Sequence, residues 1–93
     1  MSAAVRIPTI FRTYTGGAAE VTAEGATLRE VLTNLDGSYP GIAQRVLDDS
    51  GSLRRFVNLY INDDDVRFLD GLDSAVGAGA SVSIIPAVAG GSS

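Results

Sequence analysis

A single strong helix signal, TLREVLTNL at residues 27–35, stands among segments whose apolar residues alternate with a period of two. Thr27 followed by Glu30 makes a capping box, in which each side chain can satisfy a backbone donor at the helix start. Leu28, Val31, Leu32 and Leu35 then recur at the spacing of one buried stripe, and Gly37 can stop the helix. A lone amphipathic helix has to bury its stripe, and the alternating segments on either side offer a sheet face to bury it against. The expected fold is therefore α+β, a mixed sheet of four to five strands with one main helix on one face.

The strands are read in chain order. VRIPTIF, residues 5–11, puts Val5, Ile7, Thr9 and Phe11 on one face and Arg6, Pro8 and Ile10 on the other, with an irregularity expected at Pro8 because proline cannot donate to a ladder. Thr15, Gly16 and Gly17 form a turn into AAEVTAEG, giving a hairpin. After the main helix, SYPGIAQRVL allows a short second one, with Pro40 in its first turn and Ile42, Val46 and Leu47 inward. DDSGSLRR reads as a polar loop. FVNLYI is the strongest strand, Val57, Leu59 and Ile61 against a mixed face of Phe56, Asn58 and Tyr60. NDDD is a turn, VRF a short strand, and LDGLDSAVGAG a connection with at most one helical turn. SVSIIP closes the sheet, with Val82 and Ile84 on one side and Ser81, Ser83 and Ile85 on the other. No repeat or linker divides the chain, so residues 1–86 are expected to form the domain and 87–93 an extended tail.

Composition excludes several functions. Ninety-three residues suffice for one modest core but not for a deep cleft between lobes. The net charge of −4 repels phosphate backbones and anionic lipid at long range, so nucleic acid and membrane surfaces are poor partners. No apolar run approaches a membrane span, and MSAAVRIPTIF lacks the basic start and apolar stretch of a signal peptide; a cytoplasmic location is expected. Without Cys or His, the chain has no thiolate nucleophile, no imidazole base and no zinc site of the usual ligands. Metal binding is not expected, and ordinary side-chain catalysis is nearly excluded. All seven basic residues are arginine. That fits codon bias in a GC-rich genome; it also fits a chain bearing an activated acyl group, which gains from having no side-chain amine to attack it.

Local clusters are weighed in the same way. Asp63 to Asp65 lack the regularly spaced oxygen ligands and distal Glu of a calcium loop, and Asn-Asp is ordinary hairpin material. Asp48 and Asp49 across the loop from Arg54 and Arg55 read either as a docking patch or as a solvated loop. GAGAS precedes a strand, not a helix, and is no phosphate loop. The outward set Pro8, Ile10, Tyr60 and Ile85 is either a protein interface or a surface covered by loops. The end, PAVAGGSS, is either a frayed terminus or a segment slim enough to extend through a narrow opening, since Gly90 and Gly91 have no side chains to clash.

IPTI in the first strand, RFVNLYINDDDVRFLDGLD in the middle and SVSIIPAVAGG at the end carry a resemblance that runs over nearly the whole chain. The chain resembles the ThiS/MoaD family of ubiquitin-like, β-grasp sulfur carriers, in particular its CysO-like branch in actinobacteria. The resemblance implies a protein substrate, not a catalyst. An ATP-dependent, ubiquitin-activating-type enzyme would adenylate the Gly91 carboxylate, and a sulfur source would displace AMP to leave a thiocarboxylate. A sulfur-accepting biosynthetic enzyme would then use it, for cysteine or another sulfur-containing metabolite. Val88, Ala89 and Gly90 would thread the carboxylate into the partner, and Ile10, Tyr60 and Ile85 would belong to the partner interface.

The family's working form ends at Gly-Gly, whereas here Ser92 and Ser93 follow. The resemblance therefore implies removal of both by a peptidase, plausibly of the zinc-dependent JAMM type. ATP and zinc would belong to these partners, with no cofactor on the carrier, which should be a monomer when free. Three alternatives stay open: the small subunit of molybdopterin synthase or the thiazole-forming carrier of thiamine synthesis, a ubiquitin-like modifier conjugated to lysines, and a binding module with an incidental tail.

Overall fold

Alternation in the sequence becomes alternation in burial along five strands: β1 (Ser2–Arg6), β2 (Glu20–Glu24), β3 (Val57–Ile61), β4 (Asp64–Asp65) and β5 (Ser81–Pro86). The computed structural model describes residues 2–86. β1 and β2 pair antiparallel through Val5 and Val21, β1 and β5 parallel through Val5 and Val82, and β3 and β5 antiparallel through Leu59 and Ile84. The order β2-β1-β5-β3-β4 sets the first and last strands side by side at the centre. A mixed sheet of this order, gripping one long helix, is the ubiquitin-like β-grasp arrangement.

The inward face receives α1 (Leu28–Ser38), whose Leu28, Val31, Leu32 and Leu35 are 0–1% exposed. Each such side chain contributes roughly 1.5–3 kcal/mol over leaving it in water. The capping box forms as expected on one side, Thr27 Oγ1 accepting from the Glu30 amide at 3.3 Å. On the other side, Glu30 Oε1 reaches past the cap residue to the Ala26 N–H, at 2.9 Å. Gly25 lets β2 turn tightly into this helix, because a Cβ there would lie 2.6 Å from the Val31 nitrogen.

Several expectations are corrected. β1 stops at Arg6, and the ladder does not resume beyond Pro8. Pro8 instead caps a 3-10 segment, Thr9–Thr15, that buries Phe11 and leaves Thr9 and Ile10 exposed. The Ile7 amide makes the last cross-strand bond, to Ala19 O at 2.8 Å; the prolyl residue that follows offers no donor to continue it. Gly37 does not stop α1, which runs one residue further and closes with the Tyr39 amide on Leu35 O at 2.8 Å.

Pro40 lies before α2 (Ile42–Val46), which begins after Gly41 at φ 99°. Asp36 Oδ1 caps this short helix by accepting from the amides of Gly41 (2.9 Å) and Ala43 (3.1 Å). Leu47 is half-buried just past its end. VRF is not a strand: Asp65 Oδ1 accepts from the Arg67 amide at 2.8 Å and starts a 3-10 turn over Val66–Phe68. The strand here is instead β4, the second half of NDDD, after Asn62 and Asp63 turn the chain at φ 51° and 75°, the signs of a type I′ hairpin.

Candidate functional site

β5 hands the chain out of the sheet at Pro86, which pairs with Val57 at the start of β3. The surface at this strand end is an open groove of about 600 Å³, lined by Ile10, Phe56 and Pro86 together with Arg45, Arg54, Arg55, Asp48, Phe11 and Val57. Ile10 and Phe56 are large apolar side chains left 59% and 56% exposed. Each is there for a local reason. Pro8 ends the ladder and throws Ile10 past the sheet, and a turn closed by the Val57 amide on Arg54 O at 3.1 Å projects Phe56 before β3 begins.

Two of the groove's three cations are held in place. Arg54 Nε donates to Gln44 O at 2.9 Å, and Arg45 Nε donates to the Tyr14 hydroxyl, with its guanidinium 5.6 Å from that ring's centre. From outside the groove, Arg67 Nη2 donates to Val57 O at 3.1 Å and Arg55 O at 3.4 Å, the carbonyls on either side of Phe56. Asp48 accepts from the Ser50 hydroxyl at 2.6 Å and from the amides of Ser50 and Ser52 at 2.9 and 3.1 Å. Those bonds, that of the Ser50 hydroxyl first and with Arg54 adding a smaller attraction, hold its carboxyl below its ordinary pKa.

The sequence-derived interface residues fall in two places. Tyr60 and Ile85 lie on the outer sheet face as diagonal neighbours, since Tyr60 opposes Ser83 and Ile85 opposes Asn58. Ile85 is 47% exposed, so no loop hides it. Ile10 is separated from them by the break at Pro8 and belongs to the groove, so the expected single outer patch is two. Val88, Ala89, Gly90, Gly91, Ser92 and Ser93 lie outside the described residues.

Sequence reasoning missed Phe56 as a groove residue because FVNLYI reads as one unbroken alternating run; the arginine pair before it is the one available sign of a turn. It also missed Phe68 and Leu69, 87% and 46% exposed on the 3-10 turn after β4. Among the described residues, no cluster of three or more His, Cys, Asp or Glu side chains could hold a metal ion, and no helix is long and apolar enough to cross a membrane.

A β-grasp domain that feeds its carboxyl-terminal segment out from a central strand is of the ubiquitin-like class. The chain belongs to the ThiS family, whose model matches residues 5–91. It is 53% identical to the sulfur carrier protein CysO of Mycobacterium tuberculosis over 93 aligned residues, covering 98% of this chain and all of that one. The crystal structure of M. tuberculosis CysO superposes with a TM-score of 0.89 at 51% identity, over 92% of this chain and 99% of that one. A chain of the Amycolatopsis orientalis BexX/CysO complex superposes with a TM-score of 0.90 at 46% identity, over 96% and 99%. The chain is thus a homologue of sulfur carrier proteins.

Proposed function

We propose that this chain is a sulfur carrier whose reactive group is the Gly91 carboxylate, exposed once Ser92 and Ser93 are removed. The family match extending through residue 91 carries the reading, because it includes the Gly-Gly pair and stops before the serines.

The chemistry divides between carrier and partners. In an activating enzyme, a Gly91 carboxylate oxygen attacks the α-phosphorus of ATP and pyrophosphate leaves, giving an acyl adenylate. A sulfur nucleophile then adds to the carbonyl carbon and expels AMP, so the C–O bond to phosphate is exchanged for C–S. The thiocarboxylate is a soft nucleophile that a biosynthetic enzyme turns on its own electrophile, and cysteine or another sulfur-containing metabolite is the product. Nothing in the carrier need act as acid or base, in accord with a chain that has no His and no Cys. ATP stays with the activating enzyme and zinc with a JAMM-type peptidase that trims the two serines. The complex of an A. orientalis CysO with a second protein supports the idea of partner handover. A carrier passed between such partners works as a free monomer.

Intact mass of the protein from its own host tests this. A species ending at Gly91 with one oxygen replaced by sulfur is the expected product. Larger covalent conjugates on target lysines would replace the carrier reading with that of a modifier. With purified activating enzyme and ATP, the chain ending at Gly91 should form an adenylate and the chain ending at Ser93 should not. Equal activation of both would refute trimming.

A further inference from the structure

The strand registers sort the charges of this acidic chain into two poles. At the end where β5 begins, Asn62 Oδ1 accepts from the Ser81 amide at 3.0 Å, and the adjoining turn carries Asp63 and Asp64. Glu24 lies at the same end, opposite Ser2. Arg29 stands here as well, 3.6 Å from Asp73 in the one ion pair among the described residues. The opposite end, where β5 reaches Pro86, gathers Arg6 at the end of β1, with Glu20 opposite it, and Arg45, Arg54 and Arg55 in the groove beside Asp48, so that arginines outnumber carboxylates there. Arg12 and Arg67 reach it through bonds to Ile7 O and Val57 O. A chain of net charge −4 therefore presents a cationic face where its carboxyl-terminal segment departs.

The manner in which these arginines are held matters. Arg12, Arg45, Arg54 and Arg67 spend hydrogen bonds on carbonyls and a phenol, none of which neutralises a guanidinium. Asp48, the groove's carboxylate, offsets part of the charge of Arg54 but forms no ion pair with it, its Oδ1 being turned to Ser50 and Ser52. These four cations are oriented in advance, Arg55 stands free beside them among the described residues, and most of their charge is left for something outside the molecule, which lowers the ordering cost of meeting it. Covalent geometry then limits where that something can be. Gly91 follows Pro86 by five residues, and at about 3.3–3.6 Å per residue its carboxylate can lie no more than about 18 Å from Pro86. A protein that closes around Gly91 is therefore held within reach of the rim of this groove.

Resting on the carrier reading, we propose that the β5 exit face docks on partner proteins through a collar of carboxylates around the partner's entry channel. Arg45, Arg54 and Arg55 meet the collar, and Ile10 and Phe56 fill its apolar centre.

The test uses the chain ending at Gly91, the activating enzyme of the same host and ATP, followed by pyrophosphate exchange at rising NaCl. The KM for the carrier should climb with salt, and Arg54→Glu with Arg55→Glu should raise it about tenfold, leave kcat unchanged and flatten the salt dependence. Arg29→Glu, an equal charge change at the other pole, should leave KM where it was. Arg54 also supports Gln44 O, so Arg55→Glu alone serves as the second variant, since the Arg55 side chain makes no hydrogen bond among the described residues. A salt-independent KM that Arg55→Glu does not move overturns the docking proposal while leaving the carrier reading intact. A shift in the KM for ATP instead of the carrier assigns the arginines to nucleotide phosphates and also overturns it. Absence of adenylation of the unsubstituted chain removes the carrier reading, and the docking face with it.

Discussion

Replacing Gly25 by Ala should destabilise the domain more than any other single-methyl addition near α1. The new Cβ would stand 2.6 Å from the Val31 nitrogen and 2.9 Å from both Glu30 C and Glu30 Cβ. These are mostly backbone atoms, so relief requires the first turn of α1 to move by close to an ångström rather than one side chain to rotate. Overpacking of this kind costs about 1–3 kcal/mol. The same displacement strains two bonds of Ala26, its amide to Glu30 Oε1 at 2.9 Å and its carbonyl from the Val76 amide at 2.9 Å. Each contributes about 0.5–1.5 kcal/mol when intact, and with both weakened but not lost the expected total is about 2–4 kcal/mol. For a domain of this size that lowers Tm by roughly 10–25 °C. Urea unfolding followed by circular dichroism, with thermal melts alongside, measures it. A loss under about 0.5 kcal/mol at unchanged m would refute the reasoning, because the helix start would then have room to spare.

Asp36→Ala removes the acceptor shared by the Gly41 and Ala43 amides; a loss of about 0.5–2 kcal/mol by chemical denaturation is expected, and an unchanged midpoint would show that water caps α2 equally well. Arg67→Met frees the carbonyls flanking Phe56, so amide exchange should quicken at residues 55–57 with the β1–β2 hairpin unaffected; uniform protection would deny Arg67 a positioning role. Asp48 has a folded pKa below its unfolded one, so its contribution is present above the unfolded value and fades as pH falls through the folded one. The stability gap between the parent chain and Asp48→Asn, read by urea titration, should therefore hold near neutral pH and close below about pH 4. A gap that widened on acidification would mean the sign is wrong.

The elements legible in advance were those whose signal lay in periodicity. α1, β3 and β5 each repeat a pattern over several residues, and burial follows it. What escaped was decided by single hydrogen bonds. Whether the chain resumes its ladder beyond Pro8 depends on a missing donor and on how readily TIFRTYT coils, and alternation alone does not weigh these. VRF has strand composition, yet one bond from Asp65 to the Arg67 amide turns it. Gly37 permits a helix to end, but Tyr39 can still donate to Leu35, so α1 continues. The tail's two glycines gain meaning only from the resemblance they complete, and the family match runs through them. The groove was not, since it arises only where Ile10 and Phe56, far apart in the chain, are both thrown beyond the ends of their strands.

The placement of β5 bears on how the molecule answers to pulling. It lies between β1 and β3, bonded to β1 over Ser81–Ser83 and to β3 from Val82 to Pro86, and its final residue is the point at which a pull on the following segment would enter the fold. Ladder bonds run across a strand, so tension along β5 loads them together in shear and cannot peel them open one at a time. A pull on the chain beyond Pro86 would load the β3 ladder first and then the β1 ladder with it, so the strand that ends the described fold also gives the domain its mechanical resistance.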